Sequence, residues 1–358
     1  MKHLFSILLI LLLCSCSAEE ILLPIGGEQG EAIAFAYGME EEAAVQQGGS
    51  GHHAVRRKAP VALQSNFTVW GYKTKPGPEV QQVFGGYNVT YAAGTAHTTE
   101  SNTHDYEYVG GEQTIKYWDY GASEYRFWGA TGGNFNDDGT ELSISDLALT
   151  TTEPDDVTEK MFSTLYHRSP VTSDVVQLQF KRPYAKVRVM FYTSEPSTGG
   201  NEIQLTGITF GGGTASIVKR GSMTITYPQS GSATETITVT GDASPGSTQD
   251  ALSFGNVTLD ATHGTASNNA VLAVPTGGTE WYYTLPVTSS PAAFTLSLNI
   301  DDDSKTAVVP AGYMQWQPNT CYTYIFKITE AGKKIEIYDV LIDPWKYGGS
   351  QEETWTNW

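Results

Sequence analysis

The side chains best placed for chemistry lie in the first sixty residues, and the chemistry is done to the chain rather than by it. Leu4 to Leu13 is an almost unbroken apolar run behind Lys2. A run of that length suits the core of a cleaved export signal and is too short to span a bilayer. It ends in Leu13-Cys14-Ser15-Cys16. Cys16 has an aliphatic residue three positions before it and a small residue directly before it, the pattern of a lipoprotein acceptor thiol. Cys14 follows the larger Leu13. Cys16 is therefore assigned as the lipidated residue, since several acyl chains on one cysteine attach a protein firmly to a membrane. Further on, Arg56-Arg57-Lys58 is the densest basic cluster in the chain. It closes a run from Met39 to His53 that is rich in Glu, Gln and Gly and reads as an exposed loop. A signal, an anchor and a basic cluster ahead of the main body predict a protein that is exported, tethered and later cut.

Other constellations carry less. His52-His53 has no third metal ligand nearby and reads as part of the polar loop. Asp301-Asp302-Asp303 follows an apolar alternation and reads as a hairpin turn, because it lacks the ligand spacing of a calcium loop. Gly211-Gly212-Gly213 follows a strand but opens no helix, so it is a turn and not a phosphate cradle. Cys321 lies inside a strand pattern and reads as a small buried residue. No Ser/His/Asp spacing, carboxylate pair or nucleotide motif stands out. No catalytic residue, cofactor or metal site is expected, and the chain reads as a non-enzyme.

Composition bounds the class. The chain has 358 residues, with 39 Asp+Glu against 21 Lys+Arg. That length suits two domains, and the acidic balance argues against nucleic acid or an anionic membrane as the main partner. Two of the three cysteines lie in the signal region, which leaves Cys321 alone and no intramolecular disulfide framework.

The elements that must carry these features are short and alternating. Ile33-Ala34-Phe35-Ala36-Tyr37 is an isolated early strand. Asn66–Tyr72, Val83–Tyr91, Gln113–Trp118 and Tyr125–Trp128 continue the rhythm between turn residues. Leu142–Leu149 is short and mixed, and Val157–Tyr166 is the best helix candidate of this half. Val175–Phe180 alternates clearly, Lys181-Arg182-Pro183 breaks it, and Tyr184–Tyr192 follows with Val187, Val189 and Phe191 on one face. Further alternating segments run from Glu202 to Leu341. Many short strands with turns between them predict sandwiches rather than a parallel sheet. The expected architecture is all-β, with two tandem β-sandwich domains of transthyretin-like or Greek-key type and few short helices. The expected boundaries are 1–15 for the signal, 16–57 for a propeptide with the early strand, 58–182 for the first sandwich and 183–358 for the second.

With these residues in place, the sequence resembles the fimbrillin family of Bacteroidales, pilin-like surface lipoproteins. The resemblance is carried by the Cys16 lipobox, the strand Ile33–Tyr37 and the arginines ahead of the first body strand. Tyr125-Arg126-Phe127-Trp128-Gly129-Ala130, the stretch Leu178–Val189, and Trp316-Gln317-Pro318-Asn319-Thr320-Cys321-Tyr322 with Trp345 add to it. The family usually has glycine or a small residue after that proline, so Asn319-Thr320 departs from the pattern. Glu19-Glu20, directly after Cys16, resemble the surface-export signal of Bacteroidetes lipoproteins.

The resemblance implies a mechanism. An outer-membrane lipoprotein precursor is cut by an arginine-specific protease, here after Arg57 or alternatively Arg56. The displaced strand, with Ile33, Phe35 and Tyr37 as its filling face, leaves a groove. A strand from another subunit fills it, and a head-to-tail polymer grows as a fimbrium with a role in adhesion. The expected donor is Lys334–Trp345, with Ile335, Ile337, Val340 and Leu341. The second reading is a surface glycan-binding lipoprotein of a polysaccharide-uptake system, marked by exposed aromatics in a row. Trp355-Thr356-Asn357-Trp358 has no assigned role.

Overall fold

The computed structural model describes residues 31–39, 66–77, 79–89, 116–154, 160–193, 202–211, 217–243, 248–249, 251–260, 264, 266–287, 291–329 and 334–345. Before position 182 they form β1 (Phe35–Met39), β2 (Phe67–Thr74), β3 (Val80–Val89), β4 (Glu124–Ala130), β5 (Asn134–Phe135), β6 (Glu141–Ala148), β7 (Phe162–Ser163), β8 (Tyr166–Arg168) and β9 (Val176–Lys181). After it come β10 (Ala185–Thr193), β11 (Ile203–Gly211), β12 (Ile217–Val218), β13 (Arg220–Thr226), β14 (Thr236–Gly241), β15 (Thr248–Gln249), β16 (Ala251–Ser253) and β17 (Val257–Leu259). Then follow β18 (Val271–Ala273), β19 (Tyr282–Thr284), β20 (Phe294–Ile300), β21 (Asp303–Val309), β22 (Thr320–Thr329) and β23 (Lys334–Pro344). The described helices are two single 3-10 turns, Ser267–Asn269 and Ala311–Tyr313. The chain is all-β, as its alternation predicts.

The helix expected over Val157–Tyr166 is not formed where the chain is described. Met161 and Phe162 are both fully buried, but in different cores. Neighbours can face opposite ways like this only on extended chain. Phe162 pairs with Ala130 on one side and with Lys181 on the other, which fixes it as β7. The mixed stretch at Leu142–Leu149 forms β6 up to Ala148, with a break in register and a positive φ at Asp146.

The first half is built on a seven-stranded sheet ordered β1-β9-β7-β4-β2-β3, with β8 beside β4. Both its faces are covered. Phe67 and Val69 of β2 and Tyr125 and Phe127 of β4 turn one way, and Tyr72 and Trp128 turn the other. The Tyr72 side packs on a four-stranded sheet ordered β14-β13-β6-β5. Two of these strands, β13 and β14, come from beyond the expected boundary at residue 183, so the hairpin they form crosses it. The bond between the layers is aromatic. Trp128 stacks on Tyr72 at 5.6 Å and on Tyr227, just after β13, at 5.0 Å. Its indole N–H donates to the Gly139 carbonyl at 2.8 Å.

The second half is built on two five-stranded sheets, β18-β10-β22-β23 with β19, and β16-β11-β20-β21 with β17, and β12 pairs with β15 in a small two-stranded sheet. Val187, Val189 and Phe191 point inward from β10, as their alternation predicts, and meet Phe210, Leu296, Tyr324 and Phe326 in one core. Asp301 and Asp302, both at positive φ, form the turn between β20 and β21. Cys321 is buried within β22.

Gly139 has φ +73°, and a Cβ there would lie 1.8 Å from the Trp70 ring. Gly231 has φ +84° and open space around its Cβ position. Gly231→Ala should cost about 1–2 kcal/mol, the left-handed penalty alone. Gly139→Ala should cost about 1–3 kcal/mol more, because the ring must also move. Urea unfolding midpoints of the two full-length variants check this; equal midpoints would show that Trp70 yields freely.

Candidate functional site: a strand-filled groove

The early strand is a structural member of the first half. It lies at the edge of the seven-stranded sheet and pairs in parallel with β9, with Phe35 level with Val176, Tyr37 with Leu178 and Met39 with Phe180. The Val176 N–H donates to the Ala34 carbonyl at 2.8 Å. Ile33 is 1% exposed and Phe35 0%. The Phe35 ring meets Phe84 at 5.3 Å and Phe127 at 5.8 Å, both edge to face. Burying two such side chains contributes on the order of 3–6 kcal/mol in total.

The contact with Phe84 defines the shape of the sheet. β1 and β3 are its opposite edges, five strand spacings apart along the hydrogen-bonding direction. A flat sheet would separate them by roughly 24 Å. Their rings touch, so the sheet curls until its edges meet side chain to side chain, and the enclosed face becomes a core. Without residues 33–35 that core would be a groove walled by Phe84, Phe127, Leu178 and Phe180, with β9 as an open edge.

A second segment lies along the strand. The Ile33 N–H donates to the Lys116 carbonyl at 2.8 Å, and the Trp118 N–H donates to the Glu31 carbonyl at 3.1 Å. Trp118 packs edge to face on Tyr125 at 4.8 Å and is 3% exposed. Next to it, Asp119 accepts a hydrogen bond from the Lys73 ammonium at 2.7 Å, and its own N–H donates to the Tyr125 hydroxyl at 2.8 Å. Lys73 holds the Asp119 carboxyl below its ordinary value, and burial pushes the Tyr125 hydroxyl up to about 12. Alternation over Gln113–Trp118 marked this segment in the sequence without revealing its partner.

The expected donor stretch is β23. It is the edge strand of its own sheet and pairs antiparallel with β22 from Thr320–Pro344 to Thr329–Lys334. Ile335 is buried, and Ile337 and Val340 pack half-buried on the core of the second half. Leu341 lies on the outer face with Met190, Tyr192 and Ile325. The strand ends in a clamp. Trp345 is 2% exposed, with the Arg182 guanidinium 4.3 Å and the Lys186 ammonium 4.4 Å from its ring centroid. Lys186 also pairs with Glu153 at 3.3 Å. The Trp345 N–H donates to the Asn319 carbonyl at 2.9 Å, and the Asn319 N–H donates to the Tyr184 carbonyl at 2.8 Å. Asn319 has φ +58°. That region tolerates glycine and asparagine best, which accounts for asparagine where a glycine is usual.

Cys16, Arg56, Arg57, His52-His53 and Trp355–Trp358 lie outside the described residues, as does the side chain of Tyr37. All the described tryptophans are buried or half-buried; Tyr117 and Tyr120, 46% and 56% exposed, are the described aromatics that stand out beside the groove.

An all-β chain of packed sheets, with one sheet closed by an early strand, defines a β-sandwich protein. The chain belongs to the fimbrillin-like family, whose model matches residues 59–345. Solved structures resemble it more distantly. One, provisionally assigned to cell adhesion, is from Bacteroides ovatus, at 12% identity over 89% of this chain and 99% of that one, with a TM-score of 0.43. Another such protein from Parabacteroides distasonis shows 10% identity over 88% and 97%, with a TM-score of 0.44. A fimbrial protein from Bacteroides vulgatus shows 13% identity over 88% and 99%, with a TM-score of 0.39. No curated protein matches the chain.

Phe35→Ala in the full chain should cost about 3–5 kcal/mol by urea unfolding, because the curled sheet cannot collapse onto the space left. A cost below 1 kcal/mol would mean that Phe35 does not support the core. The Asp119–Lys73 pair gives a pH test. A carboxyl with a lowered folded-state value adds stability above its unfolded value and loses it as pH falls through the folded one. Asp119→Asn should therefore be less stable than the parent near neutrality, and the two should converge in acid. A gap independent of pH would remove the pair from the account.

Proposed function

We propose that the chain is a fimbrial subunit of the cell surface, made as an outer-membrane lipoprotein anchored at Cys16 and activated by loss of its first strand. The observation that carries this is the burial of Ile33 and Phe35 in the core of the first half, from a strand joined to the body only through residues 40–66. An arginine-specific protease cutting after Arg57, or after Arg56, would separate the two. The family match begins at residue 59, directly beyond that cluster, and leaves the strand outside it.

Loss of the strand exposes the groove and the β9 edge together. An open edge beside apolar surface is a template for another chain. A donated strand satisfies both, its main chain supplying affinity and its alternate side chains specificity. The contact is head-to-tail and does not close on itself, so it propagates as a filament. The donor is the Lys334–Trp345 stretch, with Ile335, Ile337, Val340 and Leu341 as its apolar side chains. Donation exchanges β22 for β9 as the neighbour of this strand, and the Trp345 clamp must open first. The role is structural and adhesive, with no catalysis.

Treatment of the full chain with an arginine-specific protease should give a new N-terminus at Lys58 or Arg57 by mass spectrometry. Filaments should then appear by electron microscopy. Arg56→Ala/Arg57→Ala should keep the original N-terminus and stay monomeric. A cut chain that remains monomeric at high concentration, or an uncut variant that forms the same filaments, would overturn the reading.

A further inference from the structure

We infer that residues 116–118 form a second flank of the groove, seated only when a strand fills it, so that an inserted strand is gripped on both sides. The inference rests on the groove reading above and adds to it the part of the site that recognises the strand's first residues.

The geometry carries it in three steps. First, the seated chain changes neighbours between Ile33 and Ala34. The Ala34 carbonyl accepts from Val176 on β9, while the Ile33 N–H and the Glu31 carbonyl bond to Lys116 and Trp118 on the opposite side. Ala32 and Tyr117 form the antiparallel bridge between them. Second, among the described residues the main-chain hydrogen bonds of Lys116 and Trp118 run to residues 31–33. The chain just beyond is held differently, by Asp119 on Lys73 and on the Tyr125 hydroxyl, neither of which belongs to the strand. Residue 119 is thus a fixed hinge, and 116–118 is the arm that the strand holds down. Third, the arm carries the lid of the groove. Trp118 lies 5.9 Å from Phe127, the ring that also meets Phe35. A strand too short to reach the positions of residues 31–33 would leave this indole over an open groove.

The partner that fits is therefore a strand from a second copy that follows the path of β1, parallel to β9 and antiparallel to 116–118. It offers a main-chain N–H at the position of Ile33 and large apolar side chains at the positions of Ile33 and Phe35, a spacing that Ile335 and Ile337 of the proposed donor share.

Two measurements test this. In the full chain, Ile33→Pro removes the N–H that bonds Lys116. The Trp118 amide should then exchange with solvent about tenfold faster, the loss of about one hydrogen bond, while β9 amides keep their protection. Unchanged exchange at Trp118 would overturn the inference. The second uses the chain cut by an arginine-specific protease, with two synthetic peptides of residues 31–39, one of them N-methylated at Ile33. The plain peptide should protect both β9 and 116–118. The methylated one should protect β9 alone and bind about tenfold more weakly. Equal binding and equal protection at 116–118 would overturn the second flank but leave the groove in place. Failure of both peptides to protect β9 would instead refute the groove, and the flank with it.

Discussion

The first half of the molecule depends on the contact of Phe35 with Phe84 across the two edges of one sheet. Along the sheet β1 and β3 are separated by four intervening strands, and across the bend they meet through side chains. Curling brings Phe67, Val69, Phe127, Leu178 and Phe180 onto the inside of the bend, and Phe35 fills the remaining space. Phe35 meets both Phe84 and Phe127 edge to face, and a polar side chain in its place would leave a buried group unpaired. The residue that completes the core therefore comes from a stretch outside the region that matches the family model.

The two ends of the chain are held with very different strength. β1 has five residues in a parallel ladder on one neighbour. Parallel pairs are slightly weaker per residue than antiparallel ones. β23 has ten residues paired in an antiparallel ladder and ends under two cations stacked on Trp345. Its indole is desolvated, which is where cation–π contacts are worth most. Arg188 repeats the arrangement over Trp281 at 4.2 Å and bonds Glu280 at 2.5 Å. Cations and rings thus interleave on the outer face of β10, and every residue of that strand is buried although only one face of it looks into the core. On the proposed reading, release of the first strand is the easy step, and release of the last is the step under control.

Much of this was legible in the sequence because period-two alternation is a local signal. The strands from Val175 to Phe180 and from Tyr184 to Tyr192, the Asp301–Asp303 turn and the burial of Cys321 all follow from neighbours in the chain. What was not legible depends on distant pairing. The stretch around Met161 and Phe162 is too short to show a period, and its neighbours β4 and β9 decide its conformation. The β13–β14 hairpin alternates as well as any other, but alternation cannot say which sheet it joins. It joins the one whose Trp128 stacks on Tyr227. Asn319 stood out as a departure from a pattern, and only its left-handed backbone turned that into a reason. The groove is the mixed case. Ile33, Phe35 and Tyr37 were marked by spacing, while its walls at Phe84 and Trp118 come from residues with no local sign of their role.

The energetics of the proposed exchange follow from what β1 covers. In the precursor it shields the β9 edge and about two large side chains' worth of apolar surface. Once it is gone, a cut subunit carries an open edge and an open groove in the same place, and neither can be satisfied within the subunit without uncurling the sheet. Association must offset roughly 4–15 kcal/mol of lost translational and rotational freedom. Two buried side chains alone contribute about 3–6 kcal/mol, which leaves them at the lower limit. The ladder bonds to β9 and the pairing with residues 116–118 must supply the remainder. A strand that fills the pockets but lacks the main-chain contacts on either flank would bind weakly and reversibly. The demand for both is a physical reason for the groove to accept one kind of strand rather than any apolar segment.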